Sequence, residues 1–165
     1  MVSVGHGMDS MGGSGVADRE SSVTWVRVSA DVVEPVALLG RVADPGAGAV
    51  VLFLGTVRDH SPDRTGVSAL EYEAYVEVVE GKIGGIVDEA RLIWPAIGVA
   101  VAHRLGRLTV GEVAVGVAVS SAHRADAFAA GRYLIDEVKS RAPIWKKEHW
   151  AGGAEWVREG DAAGA

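Results

Sequence analysis

Four cationic side chains, Lys139, Arg141, Lys146 and Lys147, crowd around Pro143 and Trp145 in a chain that carries 22 acidic residues against 16 basic ones. Lys139 and Lys146 lie on either side of that proline. The residue before a proline is steered out of the α region, so one helix cannot carry both lysines. A helix, a turn and a strand can instead bring both ammonium groups to one pocket. Two ammonium groups held close raise the cost of charging both, so one of the two pKa values is expected to fall. A lysine with a lowered pKa can serve as acid, base or nucleophile. The competing account is that cations near a helix C-terminus complement its macrodipole. That covers Lys139 and Arg141, but it does not explain Lys146 and Lys147 beyond the turn, with Trp145 as a bulky wall beside them.

Two further segments offer anion-binding chemistry. Ser120-Ser-Ala-His-Arg124 opens a helical stretch. Ser121 is the candidate N-cap, and free backbone N–H groups with His123 and Arg124 beside them suit an anion. A capped helix start with two solvated side chains is the plainer alternative. Gly55-Thr-Val-Arg58 follows an apolar run. If Gly55 permits a sharp turn, Arg58 emerges at the strand end, a place suited to a carboxylate or phosphate, or to a surface ion pair with Asp59.

Other chemistries are excluded by type and spacing. There is no phosphate-binding Gly-x-x-x-x-Gly-Lys-Ser/Thr and no Gly-x-Ser-x-Gly elbow. The histidines at 6, 60, 103, 123 and 149 lack metal-ligand spacing, so no metal site is expected. His103 alternates with apolar residues and reads as a hydrogen-bonded strand residue. The chain has no cysteine, so it can hold neither a thiolate nucleophile nor a disulfide. A net charge of −6 argues against a nucleic-acid-coating surface.

The elements that must position these residues are legible in outline. A chain of 165 residues fits one domain. Residues 1–22, rich in Gly, Ser and Met, read as a flexible tail without a signal-peptide core. A unit over 23–158 follows, and 159–165 reads as a frayed end. No apolar run approaches the ~20 residues of a membrane span, so a soluble, cytoplasmic protein is expected. Strands are expected at 25–29, at 49–54 as a buried run, at 69–75, at 99–104 continuing to 109, at 113–119, at 143–148 and at 155–157. Residues 61–66 read as a polar, mobile loop. Helices are expected over 32–42, 76–94 and 123–140. The last should bury Ala127, Phe128, Gly131, Leu134, Ile135 and Val138. Val113, Val115, Val117 and Val119 alternate with small residues, against which another element should pack closely. Mixed elements with short strand-to-strand links favour α+β, with a mostly antiparallel sheet and packed helices.

Taken in order, Phe53-Leu-Gly-Thr-Val-Arg58, Leu70-Glu-Tyr-Glu-Ala-Tyr75, His103-Arg-Leu-Gly-Arg-Leu108 with Gly111-Glu112, Ser120-Ser-Ala-His-Arg124 with Ala127-Phe128, and Asp136-Glu-Val-Lys-Ser-Arg-Ala-Pro-Ile-Trp-Lys-Lys-Glu148 resemble the large, catalytic subunit of molybdopterin synthase. The resemblance implies a hammerhead-like α+β fold and a homodimer within a heterotetramer. It implies a small ubiquitin-like sulfur-carrier partner whose C-terminal Gly-Gly thiocarboxylate enters a pocket, and cyclic pyranopterin monophosphate as substrate. It implies no cofactor of the protein's own. It casts Lys139 and Lys146 as catalytic. It places Thr56, Val57, Arg58, His123, Arg124, Lys147 and Glu148 with those lysines at the substrate, and Phe53 in the pocket wall. His123 and Arg124 would serve from the neighbouring protomer. Some family members carry Lys where Thr56 stands, so this chain has one local cation fewer. The alternative is a non-catalytic module that binds a ubiquitin-like Gly-Gly tail.

Overall fold

The computed structural model describes residues 23–62 and 64–157. The expectations for residues 1–22 and 159–165 fall outside them. Two four-stranded sheets carry the described residues, with strands β1 (Val23–Ser29), β2 (Ala49–Thr56), β6 (Ala96–Arg104) and β8 (Val113–Ser121) in the first, ordered β1-β6-β8-β2. The second sheet is ordered β10-β9-β5-β7, from β5 (Val67–Ala74), β7 (Gly106–Thr109), β9 (Ile144–Trp150) and β10 (Gly153–Val157). Only the β1–β6 pair is parallel; all other pairs in these two sheets are antiparallel. This is the α+β class expected from the mixed pattern.

Helices α2 (Val76–Ile93) and α3 (Arg124–Arg141) pack on one face of the first sheet, and α1 (Pro35–Arg41) on the other. The stripe of α2 behaves as its periodicity requires: Val79, Ile83, Ile86, Val87 and Ala90 are fully buried, and the helix stops before Pro95. Helix α1 starts later than its apolar spacing suggests. Glu34 is held extended by the following Pro35, which takes the first helical position.

Several expectations are corrected. The strand at 99–104 does not continue to 109. The chain breaks at Leu105 and turns through Gly106, whose φ of +84° suits glycine, so that β7 joins the second sheet beside β5. The run at 49–54 is an edge strand, half-buried, with Val50 45% exposed. The loop at 61–66 carries a two-stranded hairpin, β3 (His60–Ser61) with β4 (Arg64–Thr65). Phe128 is 65% exposed, and Ala130 takes its place in the buried stripe of α3. Phe128 stands about 100° around the helix from Ala127, at the stripe's edge.

The close-packing element opposite the small residues of β8 is α1. A Cβ on Gly116 would lie 2.4 Å from Leu38 Cδ1 and 3.0 Å from Val33 Cγ1. Strand β8 also bulges. Gly55 pairs with Val115 and Thr56 with Val113, leaving Ala114 as the extra residue. The bulge puts Ala114 in the core with Val115, Val117 and Val119, and turns Val113 to the α1 side.

Candidate active site

A pocket of about 50 Å³ opens where the two sheets meet the end of α3. Its lining includes Gly55 and Thr56 from β2, Tyr72 from β5, His103 from β6, and Lys139 from the last turn of α3. Ala114 and Val115 of the bulge, with Val138 and Ile144, supply apolar wall. The bulge opposite Gly55 and Thr56 is what bends the strand ends around this space. Gly55 is required here for room and not for an unusual turn: a Cβ would meet Val115 Cγ1 at 2.6 Å.

Lys139 is exposed yet contributes to the lining, so its ammonium group is open to solvent and to any entering group. His103 is buried, and its ring meets Tyr72 edge-on with centroids 5.0 Å apart. Its Nδ1 lies 3.0 Å from the Arg104 carbonyl oxygen. Burial, with the positive charge of Lys139 nearby, pushes its pKa down to about 4, so the imidazole is neutral at pH 7.

Lys146 is carried by β9 beside β5, opposite Tyr72 in register. Its side chain is 13% exposed and its Nζ lies 3.5 Å from Glu148 Oε1. Glu148 is 4% exposed and accepts a hydrogen bond from Ser61 Oγ at 3.0 Å. The second lysine is therefore charge-compensated by a buried carboxylate that the β3–β4 hairpin holds. Strand alternation sends Lys147 to the opposite face, where its Nζ stands 5.3 Å from the centre of the Trp156 ring. Trp156, Trp145, Tyr75, Glu73 and Ala74 line an open cleft of about 530 Å³ on that face.

The remaining expected residues separate. Arg141 leaves the basic cluster: it grips Glu89 through two hydrogen bonds of 2.5 and 2.8 Å and Glu137 through one of 3.0 Å. The macrodipole account of this residue is thus joined by a local ion-pair network. Arg58 is exposed, with its Nε donating to the His60 carbonyl at 3.0 Å, while Asp59 pairs with His60. Val57 is buried; its N–H donates to the Glu112 carbonyl and its carbonyl accepts from Gly111 N–H, fixing the Gly111–Glu112 turn. Phe53 packs against the core in mid-β2, near Gly55.

The N-cap of α3 is His123, extended and without a side-chain cap bond. Ser121 is instead the last residue of β8, and its hydroxyl donates to the Pro95 carbonyl. His123 and Arg124 are exposed at the opposite end of α3 from Lys139. Fifteen residues of helix separate Arg124 from Lys139, about 22 Å. Within one protomer the anion-binding helix start and the lysine pocket are different places. Sequence spacing missed Tyr72, Ala114 and Ile144 as pocket residues, and gave His103 a strand role only. The lone imidazole on the same face as Val99 and Val101 marks a strand residue, and alternation alone does not tell a core from a cavity beside it.

A model of the MoaE protein family matches residues 28–141. The chain belongs to the MoaE family. Among curated relatives, the molybdopterin synthase catalytic subunit of Halalkalibacterium halodurans is 45% identical over 120 residues, covering 73% of this chain and 76% of that protein. The crystal structure of molybdopterin synthase from Staphylococcus aureus is similar with a TM-score of 0.74 and 37% identity, covering 79% of this chain and 94% of that one. A complex of subunits 1 and 2 of molybdopterin-converting factor from Helicobacter pylori shares the fold, with a TM-score of 0.65 at 19% identity, covering 82% and 90% of the two chains. This MoaE-family chain is an enzyme subunit of molybdenum cofactor biosynthesis.

Proposed function

We propose that the chain moves two sulfurs, one at a time, from the thiocarboxylated Gly-Gly C-terminus of a small ubiquitin-like carrier to cyclic pyranopterin monophosphate, forming the molybdopterin dithiolene. The observation that carries this reading is Lys139 in the lining of a narrow pocket with Thr56, His103 and Tyr72. A tail that ends in two glycines has no side chains to exclude, so it can thread a space this small. Lys139 meets its terminal carbonyl there and stabilises the negative charge that develops on oxygen. Lys146, paired with Glu148 and in register with the pocket residue Tyr72, stands beside the pocket lining and serves in this reading as the second cation. Arg58, His123 and Arg124 bind the substrate phosphate and pterin. The separation along α3 requires that His123 and Arg124 reach the pocket of a neighbouring protomer, as in a two-fold dimer that binds one carrier per protomer. The Helicobacter pylori relative, solved as a complex of two subunits, supports such a partner. The catalytic unit of this reading is residues 23–158, in a cytoplasmic setting. Among the described residues no helix is long and apolar enough to cross a membrane.

Reconstitution with purified thiocarboxylated carrier and cyclic pyranopterin monophosphate tests the reading. The wild-type chain is expected to form the dithiolene product. Lys139→Ala is expected to lose about 10²–10⁴-fold in turnover with the fold and carrier binding retained. Carrier binding without any product from the wild type would leave a binding module in its place.

A further inference from the structure

His103 is a buried titratable group that the reading above does not use, and it lines the same pocket as Lys139. A backbone carbonyl can only accept, so the 3.0 Å contact with Arg104 oxygen fixes the hydrogen of the neutral ring on Nδ1. The lone pair then sits on Nε2. The pocket's volume of about 50 Å³ is enough for one to a few water molecules.

Sulfur transfer from a thiocarboxylate consumes water. Attack of the thiocarboxylate sulfur on a carbonyl carbon of the substrate makes a C–S bond as the C=O π pair moves to oxygen. That oxygen takes a proton and leaves as water with a hydrogen from the neighbouring carbon, so carrier and substrate are joined through a thioester. Freeing the sulfur requires water to add to the acyl carbon and the acyl C–S bond to break, with its electron pair leaving on sulfur. The carrier departs as a carboxylic acid, which ionises to solvent.

We propose that His103 is the general base for this hydrolysis: its Nε2 takes a proton from the attacking water and passes it to the departing thiolate. This rests on the sulfur-transfer reading. Lys139, across the same pocket, stabilises the oxyanion that the attack creates. The titratable groups facing His103 are Lys139 from α3 and Tyr72 from β5; its strand neighbours β1 and β8 present Val28 and Val115. On the α2 side, Glu80 accepts the Val28 N–H at 2.8 Å. Burial and the charge of Lys139 disfavour the imidazolium in this pocket. An arriving thiocarboxylate or the oxyanion opposes this, because negative charge beside the ring favours the proton.

His103→Asn keeps an N–H donor for the Arg104 carbonyl and removes the Nε2 lone pair. In single-turnover reactions followed by intact-mass spectrometry, the variant is expected to form the carrier–pterin thioester and to release carrier carboxylate about 10²-fold or more slowly than wild type. Release at the wild-type rate overturns the proposal, as does a folded variant that forms neither adduct nor product. A second measurement needs no variant. The wild-type release rate is expected to fall as pH drops through the lowered pKa of the imidazole, and a rate that stays level from about pH 6 down to about 3.5, with the fold intact by circular dichroism, overturns the proposal. If the wild-type chain forms neither thioester nor product, it is the sulfur-transfer reading that fails.

Discussion

At the scale of single residues, the basic cluster divides by partner. Lys139 lines the pocket, Lys146 pairs with Glu148, Lys147 lies over Trp156, and Arg141 is tied to Glu89 and Glu137. Sequence spacing could crowd these cations together, but it could not show Glu89, 52 residues upstream of its arginine. That pair has a consequence for acid stability. The hydrogen bonds from Arg141, helped by Tyr133, hold the Glu89 carboxyl at about 2 against an ordinary 4.5. A carboxyl lowered on folding stabilises the native state above its unfolded pKa, and that contribution is lost as pH falls through the folded value. The wild-type melting temperature is therefore expected to fall faster than that of Glu89→Gln between pH 4.5 and 2, the two curves converging at the acid end. Parallel curves in thermal circular dichroism would count against the pair. The pocket role of His103 was equally hidden, because an imidazole among valines reads the same whether its far face meets a core or a cavity.

At the scale of elements, the long periodic helix α2 was legible because five buried positions repeat over 18 residues. Strand β8 was legible as a strand, but its bulge at Ala114 was not, since one extra small residue leaves the alternation of Val, Ala and Gly looking intact. The bulge matters because Gly55 and Thr56 meet the pocket there. Strand alternation in β9 also carries a functional expectation. Lys146 and Lys147 are neighbours in sequence but face opposite sides of the sheet. Lys146→Ala is expected to lower kcat/KM for sulfur transfer at least tenfold more than Lys147→Ala does, a barrier difference of about 1.4 kcal/mol, in the reconstituted assay. Equal losses would place both lysines at the reaction. The seat of α1 on β8 gives a stability test. Gly116→Ala drives a methyl group into Leu38, and overpacking of this kind costs about 1–3 kcal/mol. Adding Leu38→Val is expected to recover part of that loss in urea unfolding, because the two sites share one contact.

At the scale of the whole molecule, α3 sets the distance between two chemistries. Its exposed start bears His123 and Arg124, its last turn bears Lys139, and about 22 Å lies between them. In a two-fold dimer that shares sites, an Arg124→Ala protomer and a Lys139→Ala protomer each lack a different half of the machinery. Re-associated one to one, they should form mixed dimers with one intact site, restoring about a quarter of wild-type activity. No recovery would show that each protomer uses its own helix start. The α+β class was readable from element order, but the division into two sheets was not, because it turns on the break at Leu105 and Gly106 within a run that reads as one continuous strand. The open cleft on the outer face of β9 gives the molecule an optical property. Trp145 and Trp156 are each about half exposed there, at 48% and 47%. Indole emission shifts to the blue when water is stripped from the ring, so a protein settling over this face would announce itself in the intrinsic fluorescence without any label.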